Sequence, residues 1–295
     1  MSRLTLAISA AVSSFLFLTL PAWAQEQMPQ PSFPHPWQIG LQNPVTPVAV
    51  MMHNFHTFLV WVISAISIFV LILLLIVIFR FNEKANPVPA KWSHNTLLEV
   101  LWTAIPVLAL VIIAVPSYRL LYYMDRTTEA EMTLKITGNQ WYWSYEYPDS
   151  EVSFDALALM AEEIDLTKGQ HRLLETDEHV VLPVDTNIRI LFTATDVIHA
   201  WTIPAFGVKL DNMPGRINET WTRVTQTGRY YGQCSELCGV DHSNMPIVVD
   251  VVTKDAYAQW VAAKKAPAPA AEAAPAEAPA ADAPAEAPAA APTVN

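Results

Sequence analysis

The sequence predicts a membrane protein of the α+β class, a two-helix transmembrane hairpin followed by an all-β sandwich or barrel. Three observations predict it. Two long apolar runs lie in the first half, a train of short β-branched and aromatic runs follows them, and both cysteines of the 295-residue chain fall in one late loop. Hydrophobic residues make up 52% of the chain and charged residues only 15%. The formal net charge of -11 argues against nucleic acid and suits a basic protein partner.

The first element is a targeting segment. Arg3 precedes an apolar run from Leu4 to Leu20, and Pro21-Ala22-Trp23-Ala24 ends it with small residues at the cleavage spacing. Residues 1–24 are therefore expected to be a signal peptide, cut after Ala24. Residues 25–53 contain no Lys or Arg and are rich in Pro and Gln. They read as an extended arm on the outer, periplasmic side.

Residues 54–124 form the predicted hairpin, with helices at about 55–80 and 96–124. Phe55 to Phe79 carries no charged residue, enough at ~1.5 Å per residue to span a ~30 Å hydrocarbon core with tilt. Pro106 and Pro116 lie inside the second run, as membrane helices tolerate. Arg80, Lys84 and Lys91 sit between the helices, so the positive-inside rule puts that loop in the cytoplasm and both termini outside. Glu99 stands at the inner mouth of the second helix. Thr96-x-x-Glu99 matches a capping box, and an ionisable group at that depth also suits a proton path.

Residues 125–260 are the predicted β domain. Strand-like runs occur at 132–147, 179–183, 188–195, 199–203, 219–225, 229–232 and 246–252, separated by Gly, Pro, Asn and Asp turns. Residues 156–178 interrupt them with an acidic, helix-tolerant insertion or loop. From 131 to 260 there are 19 Asp and Glu against 9 Lys and Arg, so this domain holds most of the negative charge. Residues 261–295 are nearly all Ala, Pro and acid, too poor in apolar bulk to bury a core, and read as a disordered tail.

Cys234, Cys238, His242 and Met245 follow one another at the spacing Cys-x3-Cys-x3-His-x2-Met, and His199 lies on an earlier strand-like run. Sulfur and imidazole together suit copper. The competing reading, a disulfide, would close so short a loop that it would constrain the unfolded chain little. A mononuclear blue-copper site needs one thiolate, and this loop has two. Two thiolates can each bridge two ions, giving a dinuclear centre with one terminal imidazole per copper, and Met245 and a backbone carbonyl as weaker ligands. The histidines at 35, 53, 56, 94, 171 and 179 have no such company and read as structural.

The copper loop, the run Gly138-Asn-Gln-Trp141-Tyr-Trp143-Ser-Tyr-Glu-Tyr147 and the helical hairpin together resemble subunit II of cytochrome c oxidase, of bacterial aa3 type, over roughly residues 40–260. The resemblance implies a cupredoxin-like barrel with a dinuclear copper A centre held by His199, Cys234, Glu236 through its carbonyl, Cys238, His242 and Met245. It implies that the Glu236 side chain reaches a magnesium or manganese ion shared with subunit I. It makes Trp141 the point of electron entry and Glu146, Asp155 and Asp196 candidates for docking cytochrome c. It makes Glu99 the entrance of a proton pathway. Implied partners are the haem-bearing subunit I, subunit III, cytochrome c and membrane lipid, with no nucleic acid. The expected location is the bacterial inner membrane, with oxygen reduced in the partner subunit. A membrane-anchored copper-binding or copper-delivery protein is the alternative. Delivery needs an open, exchangeable site, which six ligands do not offer.

Overall fold

A computed structural model describes residues 33–125 and 129–266. The expected signal peptide, the start of the arm and the tail beyond Ala266 lie outside the described residues.

Helix α1 spans Pro47–Arg80 and α2 spans Thr96–Asp125. Their apolar side chains face outward, as suits lipid and neighbouring membrane subunits. The second span matches its prediction; the first begins eight residues earlier than expected. Thr46 is its N-cap, accepting from the Ala49 amide, and Pro47 follows at the first helical position. Hydropathy located the membrane-spanning part of this helix, whereas capping sets its true start. At ~1.5 Å per residue, 34 residues make about 51 Å, so α1 outruns the ~30 Å core and its first turns reach the β domain.

The expected capping box is not formed. Thr96 is the first helical residue, and the Asn95 carboxamide oxygen accepts from the Leu98 amide at 3.2 Å. Asn95 caps the helix, and Glu99 is left half-buried one position too late to close the box.

The β domain begins with a hairpin, β1 (Met132–Asn139) and β2 (Tyr142–Tyr147), where the sequence read one continuous run. Gln140 and Trp141 form the turn. The remaining strands are β3 (Val152–Ala156), β4 (Val180–Pro183), β5 (Ile188–Ala194), β6 (His199–Ile203), β7 (Val208–Asn212), β8 (Asn218–Thr222), β9 (Gly228–Gln233) and β10 (Pro246–Val252). They form a five-stranded sheet ordered β3-β2-β1-β5-β8, a three-stranded sheet β4-β10-β9 and the pair β6-β7. β1 and β5 run parallel, as do β4 and β10. This is the cupredoxin-like β domain the resemblance implies.

Alternation builds its core. Trp143, Tyr145 and Tyr147 on β2, and Ile188, Ile190 and Phe192 on β5, point inward at every second position. They meet Leu182 on β4 and Ile247, Val249 and Val251 on β10 in one cluster. The Tyr147 hydroxyl joins the two sheets, donating to the Val181 carbonyl and accepting from its amide. Buried Asn212 ties β1, β5 and β6 together, donating to the Ile136 and Thr193 carbonyls and accepting from the Trp201 amide.

The segment 157–178 is the loop of the two readings, with one short 3-10 turn at Leu166–Lys168. A third helix, α3 (Lys254–Lys265), occupies the start of the expected tail. Thr253 caps it, and Tyr257, Trp260 and Val261 pack against the core. Its alanines resemble the tail in composition, which hid it.

Both membrane helices are joined to the β domain. The Thr46 hydroxyl donates to the Phe206 carbonyl, and the Val45 carbonyl accepts from Thr225. At the other helix, the Trp221 indole donates to the Tyr123 carbonyl and the Thr220 hydroxyl to that of Met124. Gly207, at φ +67°, lies so close to α1 that a methyl group there would sit 3.0 Å from the Ala49 backbone.

Candidate metal centre

The copper loop runs from the end of β9 to the start of β10, and β6 begins with His199 beside it. The Cys234 amide donates to the Met245 carbonyl, closing the loop at its base, and the Ser235 amide donates to the Ala200 carbonyl. All six predicted ligands thus hang from a strand end, at His199, or from one short connection, residues 234–245.

Cys234 and Cys238 are buried, with free thiols whose sulfurs lie 3.8 Å apart. A disulfide would require ~2.05 Å. A ligand nitrogen of His199 and both sulfurs lie within 4.8 Å of one another, and among the described residues no other His, Cys, Asp and Glu side chains form such a group. The His242 Nδ1 is 3.5 Å from the Cys238 sulfur, and the Glu236 carbonyl is 3.4 Å from the Cys234 sulfur. Met245 is buried and belongs to the same core cluster as both cysteines.

His199 carries the fit test. It is fully buried, and its Nε2 lies 2.9 Å from the Asp196 Oδ1. Its Nδ1 is buried with no hydrogen-bond partner among the described residues. An orphaned imidazole nitrogen beside two thiols is costly unless something electrophilic takes its lone pair. A metal with nitrogen and sulfur preference meets that need.

Burial disfavours the Cys234 thiolate, but the adjacent His199 imidazole and nearby backbone groups outweigh it and bring the thiol down to about 6. Burial and then the neighbouring Cys234 charge push Cys238 up to about 12. The first proton leaves readily and the second is held, so loading metal onto both sulfurs must release protons.

Asp196 was expected among the docking acids. Both its oxygens are engaged here: Oδ1 with His199 and the Val197 amide, Oδ2 with the Gln140 amide at 2.7 Å. It orients the imidazole, as carboxylates behind metal-binding histidines commonly do. Glu146 pairs with Lys135 directly across β1 and β2, at 2.8 Å. Asp155 is exposed and accepts from the Ser144 hydroxyl. The Glu236 side chain is exposed at the loop surface.

Trp141 is half-buried in the β1–β2 turn, and its indole nitrogen donates to the Cys238 carbonyl at 3.2 Å. Gln140 donates to the same carbonyl at 2.8 Å. Sequence reasoning missed Gln140 because its partner is 98 residues away. Glu99 lies at the far end of the hairpin and is not brought to this centre.

The family model for the cytochrome c oxidase subunit II periplasmic domain matches residues 132–252, and that for its transmembrane domain matches residues 34–120. The chain belongs to the cytochrome c oxidase subunit II family. A Rickettsia bellii protein named "Probable cytochrome c oxidase subunit 2" is 50% identical over 79% of this chain and 86% of the relative. Cytochrome c oxidase subunit 2 of Cereibacter sphaeroides is 40% identical over 86% of this chain and 89% of that one. The solved periplasmic domain of subunit II of cytochrome oxidase of Bradyrhizobium japonicum is 49% identical, covering 48% of this chain and 97% of that one, at a TM-score of 0.44. Family membership makes this chain the copper-bearing subunit of an oxidoreductase complex, with two membrane spans and partner subunits.

Proposed function

We propose that the chain holds a dinuclear copper A centre through His199, Cys234, the Glu236 carbonyl, Cys238, His242 and Met245. The observation that carries this is the buried, unpartnered His199 Nδ1 beside two free thiols 3.8 Å apart. When bound, such a centre accepts electrons singly from cytochrome c and supplies them to haem in subunit I, where oxygen is reduced to water with proton pumping. The protein supplies the two thiolates, orients His199 through Asp196, and keeps water from the sulfurs by burial. A site this enclosed suits electron transfer better than copper delivery.

Trp141 is the electron-entry residue in this reading, supported by its direct bond to the Cys238 carbonyl. Asp155, with Glu146, belongs to the acidic rim that steers cytochrome c, an effect salt would screen, while Asp196 serves His199 instead. The exposed Glu236 carboxylate is free to reach a magnesium or manganese ion shared with subunit I. Subunit III completes the membrane partners. The copper domain faces the periplasm, following the distribution of Lys and Arg about α1 and α2.

Copper content and electron paramagnetic resonance of the full chain, purified with its partners, test the centre. Two coppers per chain sharing one unpaired electron are expected, and a single copper with a mononuclear spectrum refutes it. Glu99 is assigned to proton uptake. Glu99→Gln should slow turnover yet leave copper reduction by cytochrome c fast, and unchanged turnover would remove the assignment.

A further inference from the structure

The outer ends of α1 and α2 enclose a cleft of about 430 Å³ whose lining includes Asn54, Phe55, Phe58, Ile112, Pro116 and Arg119. All but Asn54 and Arg119 are apolar. Arg119 is the one charged residue of α2 between Glu99 and Asp125. It is exposed, and among the described residues no hydrogen bond or ion pair engages its guanidinium.

Depth along the helix decides what this cation meets. Arg119 lies 20 residues beyond Glu99, or about 30 Å at ~1.5 Å per residue, which is the thickness of the hydrocarbon core. With Glu99 at the inner boundary, Arg119 stands at the outer one, level with lipid phosphates. On α1, Asn54 immediately precedes the uncharged run from Phe55 to Phe79 and marks the same boundary. An arginine at that depth extends its guanidinium into the phosphate layer, where an anion can pair with it.

We propose that this cleft binds one outer-leaflet glycerophospholipid. Arg119 takes the phosphate with its planar fork, Asn54 adds a hydrogen-bonding group at the rim, and the Phe55, Phe58, Ile112 and Pro116 walls take an acyl chain. The charge complementarity of a lone guanidinium at phosphate depth selects this occupant. The site lies on the membrane hairpin, apart from the metal centre, and does not depend on the copper reading.

The complete oxidase, stripped of lipid in mild detergent, is titrated with phosphatidylglycerol, and bound lipid is counted by native mass spectrometry. The same spectra report whether the subunits remain assembled. Wild type should hold one lipid that assembled Arg119→Gln holds about tenfold more weakly, the value of one charge-assisted contact. Arg119→Lys should keep most of that affinity, and Asn54→Leu should lose part of it with the cation intact. Equal binding by wild type and Arg119→Gln overturns the proposal. Displacement of the lipid by equimolar inorganic phosphate overturns it too, because the apolar walls would then contribute nothing. Loss of a membrane subunit from Arg119→Gln with an unchanged lipid count overturns it in favour of a protein carboxylate.

Discussion

Gly138→Ala should damage the metal centre without touching a ligand. An added methyl carbon would lie 2.7 Å from His199 Cδ2, 2.9 Å from Cγ and 3.0 Å from Cβ. Favourable carbon contacts lie at ~3.5–4.0 Å, so the overlap is about 0.8 Å. Neither side can yield easily. Gly138 is paired with Trp143 on one side and Ala194 on the other, which fixes the β1 backbone. The imidazole is fully buried, held through Nε2 by Asp196 and crossed edge-on by the Trp143 ring at a centroid distance of 6.0 Å. Overpacking of this kind costs about 1–3 kcal/mol. The ring has to shift by some tenths of an ångström, carrying Nδ1 off its line to the two sulfurs. Copper per chain should fall, the resonance spectrum should change, and the unfolding midpoint of the solubilised chain should drop. Gly40→Ala is the control, since a methyl group added there would meet nothing within 4 Å. Full copper, an unchanged spectrum and unchanged stability in Gly138→Ala would refute the reasoning.

Trp141→Phe keeps an aromatic ring but removes the donor to the Cys238 carbonyl; stopped-flow reduction by cytochrome c should slow while the copper signal persists, and Trp141→Ala should be slower still. Asp196→Ala should weaken copper retention by about 10–100-fold through loss of His199 orientation, measured by competition with a chelator. If Asp196 only met cytochrome c, copper retention would stay and the salt dependence of the reaction would flatten instead. Asp250 is the pH-sensitive member of the β9–β10 sheet. Burial opposes its charge, but His179 and a two-point bond from Arg229 hold its carboxyl below the usual range. A depressed folded-state value contributes stability above the unfolded pKa and loses it as pH falls through the folded one. Asp250→Asn should therefore cost about 1–3 kcal/mol near neutrality, and its unfolding midpoint should converge with wild type below about pH 4.

The fold was legible wherever a periodic signal was strong. The apolar runs located both membrane helices, and β6 and β10 came out at their true limits because Asp196 and Pro204 flank the first and Pro246 opens the second. What escaped was decided by contacts the sequence does not display. β3 and β7 are five residues each with mixed faces, and they exist because β2 and β6 offer them edges. Helix α3 carries ordinary capping signals, a Thr at the N-cap and lysines in the last turn, but its alanines merge with the tail. At the proposed centre, soft side chains at close spacing marked the loop, and the structure brings His199, Cys234 and Cys238 together there. The roles of Gln140, Gly138 and Asp196 depend on the β1–β2 turn meeting the copper loop across the sheet, which no local pattern encodes.

That meeting also explains why the centre can be rigid on a loop. Its ligands are anchored at strand ends, and the loop is bonded at its base from Cys234 to Met245 and at its crown from Gln140 and Trp141 to Cys238. Sites held this way keep their geometry better than free loops do. The same β domain is bonded to α1 at Val45 and Thr46 and to α2 at Tyr123 and Met124. These are attachments at two helix ends rather than a flexible tether, so tilt of the metal centre relative to the membrane is resisted from two sides. The proposed electron carrier, facing a mobile protein outside and a fixed haem partner in the membrane, would draw on this arrangement. In the proposed function, Trp141 and the acidic surface would serve the mobile partner, while the height of the centre is set by the hairpin beneath it.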